Sequence, residues 1–158
     1  MRHLHRKRKG GGFTLVELMV TVGIVVTVIV ILLQLFVYNS LLAGLAGNMS
    51  YAMSEAQAKM EEIRNSDYSQ ITTSYASGGT PGNTFDLSLA TGKGIIYIDS
   101  STADLLQVDV VVCWRGKDGR VIGEDKNLNG TLDTGEDADG DGKIGSSATL
   151  STMIARMP

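Results

Sequence analysis

The stretch that decides the fold is FTLVELMVTVGIVVTVIVILLQLFVYNSLLAGLAGNMSYAMSEAQAKMEEIRN, residues 13–65. It carries no charged residue from Leu18 to Ser54, and its first half, residues 13–38, is rich in Val, Ile and Leu. A helix crosses a bilayer with about 20 apolar residues, so this half is long enough to span one. A signal peptide is the alternative, but its apolar region usually has about 7–15 residues and ends at a small-residue cleavage site.

The second half of the stretch, residues 39–65, has a different pattern. Apolar side chains recur there at intervals of four and three, whereas Ser, Gln and Glu occupy the intervening positions, which is typical of an amphipathic helix. No proline precedes Pro81, so one continuous helix over residues 13–65 is allowed. We expect its apolar stripe to pack on a small domain. The stripe consists of Met49, Met53, Ala56, Met60 and Ile63.

Charge is distributed unevenly along the chain. The net charge is −3, but residues 1–12, which we call the leader, contain five Lys or Arg and no acid, so the remainder carries −8. A basic segment before an apolar one orients a chain in a membrane with the basic side in the cytoplasm. Nucleic-acid binding is the competing interpretation. It is disfavoured because the leader has no interleaved aromatic residues and the acidic remainder would repel phosphate.

Cysteine and histidine limit the chemistry that the chain can perform. Cys113 is the only cysteine, so no intrachain disulfide can tie down the loops of an exported domain. We expect Cys113 to be a half-buried filler. His3 and His5 both lie in the leader, which leaves no Ser-His or Cys-His pair in the body for nucleophilic catalysis. We therefore expect no enzymatic activity.

Residues 66–158 read as a β-rich domain that follows the helix. The longest strand segment is Leu105–Arg115, whose alternation puts one apolar face toward the helix and a more polar face on the other side. The turn at residues 116–119 makes a hairpin with the next strand. We expect an α+β fold, a long N-terminal helix packed on a small antiparallel sheet. The remaining predicted strands are Thr84–Leu89, Ile95–Asp99, Arg120–Gly123 and Thr149–Arg156.

The leader and the apolar run are joined by Gly10-Gly11-Gly12-Phe13-Thr14-Leu15-Val16-Glu17. With the basic leader before it and the apolar run after it, this segment resembles the processing site of the type IV pilin and pseudopilin family. The resemblance implies that a prepilin peptidase cuts after Gly12 and methylates the new amino terminus of Phe13. The glycines agree with this, because they form helix poorly and give a protease an extended, side-chain-free segment.

Glu17 is the one charge within the apolar run. A carboxylate in such a setting is costly and usually marks function. The resemblance implies that it pairs with the freed α-amino group of Phe13 on a neighbouring subunit during assembly. The alternative is that Glu17 only suits the positive dipole end at the start of the helix.

The resemblance also implies a structural role and its partners. Met60–Asn65 looks like the helix end of V-type minor pilins, and the chain lacks both the helix proline and the C-terminal cysteine pair of many major pilins. We therefore expect a minor pilin or pseudopilin of a type IV pilus or a related type II secretion filament. Its partners would be other pilin or pseudopilin subunits, the prepilin peptidase, the inner-membrane assembly platform and, before assembly, membrane lipid. It would first be a single-pass inner-membrane protein and then part of a periplasmic or cell-surface filament.

Residues 125–136, DKNLNGTLDTGE, match the EF-hand loop pattern. That pattern supplies oxygen ligands from positions one, three, five, nine and twelve and from the carbonyl of position seven, with a glycine at six for the sharp turn. Such hard oxygen ligands suit Ca²⁺. The predicted ligands are Asp125, Asn127, Asn129, Thr131, Asp133 and Glu136, and the turn glycine is Gly130.

A second acidic loop begins at Asp137 and continues with Asp139 and Asp141, so that residues 125–145 form one acidic segment. Its ninth and twelfth positions are Gly145 and Ala148, so the bidentate acid is missing. It could share a ligand with the first loop, bind a weaker ion or be an acidic turn. For the whole segment the alternative is a solvated loop, because Asp, Asn and Gly are ordinary turn formers.

Two functions are compatible with these features. In the first, calcium is a structural ion that replaces the missing disulfide in a filament subunit, since ion binding neutralises the acids and links to folding. In the second, the chain is a membrane-anchored, calcium-dependent adhesion or binding module that works without polymerisation.

Overall fold

The computed structural model describes residues 12–88 and 91–156. The chain divides into two compact units, Met1–Leu42 and Ala43–Pro158. The architecture is α+β, as the sequence predicted. In chain order the elements are α1 (Leu15–Arg64), α2 (Tyr68–Ser74), β1 (Thr84–Asp86), β2 (Gly92–Thr102), β3 (Leu105–Arg115), β4 (Val121–Ile122) and β5 (Ala148–Ala155).

Helix α1 covers almost all of the stretch that the sequence predicted to be one helix. At its start, the hydroxyl of Thr14 accepts the backbone N–H of Glu17 at 3.2 Å. This hydrogen bond is one of the two that make up a capping box. Its apolar part is long enough to cross a membrane, with a mean hydropathy of 2.9. Arg64, in the last turn, suits the negative dipole end.

The buried stripe of α1 is centred slightly differently from the prediction. The fully buried positions are Ala52, Ala56, Met60 and Ile63, so Ala52 belongs to the stripe although the sequence analysis did not include it. Met49 and Met53 are only partly buried. Alanine has no side chain beyond Cβ, and two alanines one turn apart let the sheet approach the helix closely. The larger methionines then lie beside this line of contact.

Helix α2 was not predicted from the sequence. Its residues, YSQITTS, include two threonines and two serines, which are weak helix formers. Tertiary contacts stabilise it instead: Ile71 is fully buried, Tyr75 directly after it is 4% exposed, and the Tyr75 hydroxyl donates to Glu62 of α1 at 3.1 Å.

The five strands form one antiparallel sheet. β2 lies between β1 and β3, and both β4 and β5 pair with the other edge of β3. The bounds of β3 agree with the prediction, whereas the first predicted strand is shorter and the second longer. The ring of Phe85 lies over Gly94 of β2, where a Cβ would overlap it, so the strand needs a glycine at this position.

Strand β3 is buried on both faces from Val110 to Trp114. One face carries the predicted apolar side chains and packs with the stripe of α1. On the other face Val111 and Cys113 form a second cluster with Ile95 of β2 and Ile144. The expectation that Cys113 is half-buried was wrong, since it is fully buried. The residues on the face toward α1 are Leu106, Val108, Val110, Val112 and Trp114.

Candidate functional site

The acidic segment lies between β4 and β5 and packs on the sheet face that α1 does not cover. Ile144 is 1% exposed among Ile95, Val111 and Cys113. Leu128 and Leu132 of the first loop (125–136) are partly buried against the same cluster. We call residues 124–145 the double loop and residues 137–145 its second loop. Each loop therefore supplies apolar side chains to the sheet.

Asp125 organises the first half of the first loop. Its carboxylate is fully buried and accepts the backbone N–H of Asn129 at 3.0 Å and that of Gly130 at 2.7 Å, one on each oxygen. The side-chain oxygen of Asn127 accepts the N–H of Asn129 at 3.0 Å, and that of Asn129 accepts the N–H of Thr131 at 2.7 Å. The backbone thus winds around the Asp125 carboxylate.

Asp133 and Glu136 close the first loop. One oxygen of Asp133 accepts the side-chain amides of Asn127 and Asn129, both at 2.8 Å. Glu136 is 4% exposed and accepts the N–H of Lys126 at 2.8 Å and that of Asp133 at 3.1 Å. The five predicted side-chain ligands therefore share one hydrogen-bonded loop. Thr131, the predicted carbonyl ligand, follows the turn at Gly130.

The glycine at position six has the conformation that the pattern requires. Gly130 has a φ of +77°, in the left-handed region. A Cβ there would lie 2.8 Å from Cγ2 of Thr84 on β1. Gly130 therefore permits both the sharp turn and the close approach of the loop to the sheet.

Two of the carboxylates in the first loop are buried without a cationic partner. Among the described residues, no Lys or Arg nitrogen lies within 4.0 Å of Asp125 or Glu136. The ammonium of Lys126 donates instead to the carbonyl of Gly135. Buried carboxylates are costly unless they are paired or bind a metal. An all-oxygen donor set with two buried acids fits a hard cation such as Ca²⁺.

The second loop brings its three aspartates closer together than the first loop does its acids. Carboxylate oxygens of Asp137, Asp139 and Asp141 lie within 4.8 Å of one another. Among the described residues, no other three acids have carboxylate oxygens this close together. Each also accepts a backbone N–H from its own loop. Gly145 and Ala148, at the ninth and twelfth positions, have no side-chain oxygen to complete an EF-hand pattern.

Tyr97, Lys143 and Asp109 fasten the second loop to the sheet. The hydroxyl of Tyr97 accepts the N–H of Ile144 at 2.8 Å, and burial raises the pKa of this tyrosine. Lys143 lies 3.3 Å from Asp109 and 5.4 Å from the centre of the Tyr97 ring. Burial alone would raise the pKa of Asp109, but hydrogen bonds from Ser151, Gln107 and Lys143 outweigh it, so the pKa is lowered.

Glu124 and Cys113 are two further residues of the site that the sequence analysis did not assign to it. Glu124 precedes the first loop and accepts two backbone N–H groups of the segment 138–145. Its place before the EF-hand pattern gave no signal of this role. The thiol of Cys113 lies 3.9 Å from the carbonyl of Gly145, and burial raises its pKa. The end of the double loop therefore covers the thiol.

The second candidate region is the N-terminal segment. The leader up to residue 11 lies outside the described residues, so the predicted cleavage position is seen only from Gly12 onward. Phe13 is 84% exposed. Glu17 is exposed in the first turn of α1, and the side chains that follow it, up to residue 42, are exposed as well. A carboxylate thus lies at the start of an apolar helix whose side chains, up to residue 42, no other described residue buries.

Comparison with known families decides the identity of this segment. Residues 7–33 match the prokaryotic N-terminal methylation motif. The chain carries the type IV pilin and pseudopilin signature. The motif covers the predicted cleavage position, Glu17 and much of the apolar run. It is the signature of subunits that prepilin peptidase processes and that assemble with other pilin subunits, and it points to a structural protein. No curated protein and no solved structure matches the chain.

We expect Gly130→Ala to destabilise this pilin-like chain more than Gly135→Ala. Both glycines have positive φ, +77° and +86°, which costs an alanine about 1–2 kcal/mol. Only at position 130 would the new Cβ also meet Thr84; Gly135 has open space around it. Overpacking adds about 1–3 kcal/mol. Thermal unfolding followed by the fluorescence of Trp114 measures the difference, and equal destabilisation would show that the loop does not approach β1 closely.

Proposed function

We propose that this chain is a minor pilin or pseudopilin, a structural subunit of a type IV pilus or a type II secretion filament. It is made as a single-pass inner-membrane protein, cut after Gly12 and added to the filament through α1. The observation that carries this proposal is the methylation motif, residues 7–33, which continues into a helix whose apolar side chains are exposed. An apolar surface of this kind needs lipid before assembly and other helices after it.

Cleavage and Glu17 together explain how subunits recognise one another. Cutting before Phe13 creates an α-amino group four residues before the carboxylate. Opposite charges attract strongly in a low-dielectric environment, and an unpaired carboxylate within a membrane is costly. Pairing of Glu17 with the amine of a neighbouring subunit removes this cost, so that only a processed neighbour is a good partner.

Two sequence features support a minor subunit over a major one. The chain has two prolines, Pro81 and Pro158, so neither lies in α1, and it has one cysteine, so no C-terminal pair is present. Both features of many major pilins are therefore missing. The subunit would be added in small numbers beside other pilins, with its acidic domain on the outside of the filament.

We further propose that the first loop holds a structural calcium ion. The ligands would be the side chains of Asp125, Asn127, Asn129, Asp133 and Glu136 with the carbonyl of Thr131. The burial of Asp125 and Glu136 without a cationic partner supports this. The bound ion would neutralise the loop and hold it against the sheet, which is the task of a disulfide in many exported domains.

A second candidate function is a membrane-anchored, calcium-dependent adhesion or binding module. The observation in its favour is a groove of about 580 Å³ between the second loop and the sheet, lined by polar side chains that include Gln107, Asp109 and Ser151. Such a module would work without polymerisation. The two functions are compatible if the subunit lies at the tip of a filament.

Glu17→Ala tests the assembly role. We expect the variant to be cleaved and methylated normally, because the peptidase acts at Gly12–Phe13, but to be absent from filaments, because the carboxylate partner of the amine is lost. Mass spectrometry of the mature amino terminus measures processing, and immunoblotting of sheared filaments measures incorporation.

Glu61→Ala is the matched control for this variant, since Glu61 is an exposed acid at the other end of α1. It should be processed and incorporated like the wild type. Incorporation of Glu17→Ala at the wild-type level would contradict the assembly role. An uncleaved leader on a functional wild-type protein would favour the adhesion module.

Chelation tests the calcium proposal. We expect removal of calcium from the processed chain in detergent to lower its unfolding midpoint and to make residues 124–145 sensitive to proteolysis, because the acids then repel one another. At calcium concentrations about 100-fold above the dissociation constant, the ion contributes about 2.7 kcal/mol. Magnesium added after chelation is the control for ionic strength. An unchanged midpoint and an unchanged proteolysis pattern would refute the calcium site.

A further inference from the structure

Glu124 lies directly before the first loop, outside the EF-hand pattern, and binds the second loop at two points. One carboxylate oxygen accepts the N–H of Ala138 at 2.9 Å, and the other accepts the N–H of Gly145 at 2.6 Å. Its own backbone N–H donates to the carbonyl of Gly145 at 2.9 Å. Glu124 thus forms three hydrogen bonds to a segment that follows it by 14 to 21 residues.

These bonds close the double loop at its base. The backbone hydrogen bond between Glu124 and Gly145 brings together the two ends of the segment that leaves the sheet after β4 and returns to it at β5. The bond to Ala138 fixes the junction between the two loops. Ala138 lies two residues after Glu136, the acid at position twelve, so the same carboxylate that holds the base also holds the backbone beside that acid.

The backbone around Glu124 is adapted to this contact. A Cβ on Gly145 would lie 2.9 Å from a carboxylate oxygen of Glu124, closer than side-chain carbons come. Gly123 has a φ of +108°, and a Cβ there would overlap the thiol of Cys113. Gly145 therefore leaves room for the Glu124 carboxylate, and Gly123 lets the backbone approach the thiol on β3.

We propose that Glu124 is a positioning residue for the calcium site: it holds the junction of the double loop so that Glu136 is ordered before the ion binds. This inference rests on the proposed calcium site and adds a residue outside the ligand set that controls its affinity. With Glu124 in place, Glu136 already lies against the N–H groups of Lys126 and Asp133. Without it, ion binding has to order the junction as well.

The Glu124→Gln variant tests whether Glu124 positions the calcium site or only stabilises the fold. Glutamine has nearly the same size, but it offers one acceptor oxygen and an NH₂ group, so it can accept one of the two N–H groups and opposes the other. We expect about a tenfold loss of calcium affinity, as is usual when a group that orients a metal ligand is changed. Loss of a negative charge near the ion would also weaken binding, so a charge control is required.

Asp86→Asn is that control. Asp86 is an exposed acid of β1 that accepts a hydrogen bond from the ammonium of Lys93 at 2.7 Å, and asparagine keeps this acceptor. Lys93 lies beside Gly130 of the first loop, so the variant removes one negative charge near the double loop without changing a residue of it. Gly145→Ala is the complementary variant, since it pushes the Glu124 carboxylate away while leaving the charge in place.

The experiment titrates calcium alone into the full processed chain in detergent, by calorimetry, at low and at about 1 M potassium chloride, where charge effects are screened. We expect Glu124→Gln and Gly145→Ala to bind about tenfold more weakly than wild type at both salt concentrations. Asp86→Asn should approach the wild-type affinity at high salt. The calcium-dependent rise of the unfolding midpoint should shrink in the first two variants, which a purely structural defect would not cause.

The outcomes distinguish this inference from the calcium proposal itself. Wild-type chain that binds calcium, with Glu124→Gln and Gly145→Ala binding equally well, would overturn the positioning role alone. Equal affinities of Glu124→Gln and Asp86→Asn at high salt, with Gly145→Ala like wild type, would show that the weaker binding is a charge effect, which would also overturn the positioning role. Absence of calcium binding to the wild-type chain would overturn both. If Glu124→Gln does not fold, Gly145→Ala decides the question.

Discussion

The burial of β3 on both faces is the constraint on which the rest of the domain depends. On one face, the alanine-centred stripe of α1 packs on a row of valines, a leucine and Trp114, and removal of apolar surface from water is sufficient to hold such an interface. On the other face, the cover is the double loop. It contributes Ile144, Leu128 and Leu132 but also a concentration of acids. Repulsion among those acids opposes this cover, which is the physical reason for proposing an ion there.

The two ends of the chain depend on this sheet in different ways. Helix α1 supplies both the segment that carries the pilin signature and, in its last turns, the side chains that cover β3. A subunit that enters a filament through its helix thus has its domain core built on the same helix. The double loop has no part in that core. If the proposed ion holds this cover, its loss should open the loop without unfolding the helix side.

Periodic patterns predicted much of this structure. The amphipathic spacing predicted α1, and the alternation in β3 predicted the face that packs on it. The EF-hand spacing identified side chains that share one hydrogen-bonded loop, and their role as ion ligands stays a prediction. Contacts between residues far apart in sequence account for what was missed. Helix α2 is stabilised by Ile71 and Tyr75 packing on other elements, Gly94 of β2 is explained by the ring of Phe85, and Cys113 is buried by a loop about thirty residues later. The role of Glu124 is likewise invisible in its own neighbourhood, because its partners are Ala138 and Gly145.

The central claim, that an ion holds the double loop on the second face of β3, is tested most directly by the alkylation rate of Cys113. This thiol is the only one in the chain, it is fully buried, and the carbonyl of Gly145 lies over it. With calcium present, we expect the native processed chain to be alkylated at least about tenfold more slowly than after chelation, because local opening of the loop controls access. Chain unfolded in denaturant should react at the same rate in both conditions. Equal rates in the native chain with and without calcium would contradict the account.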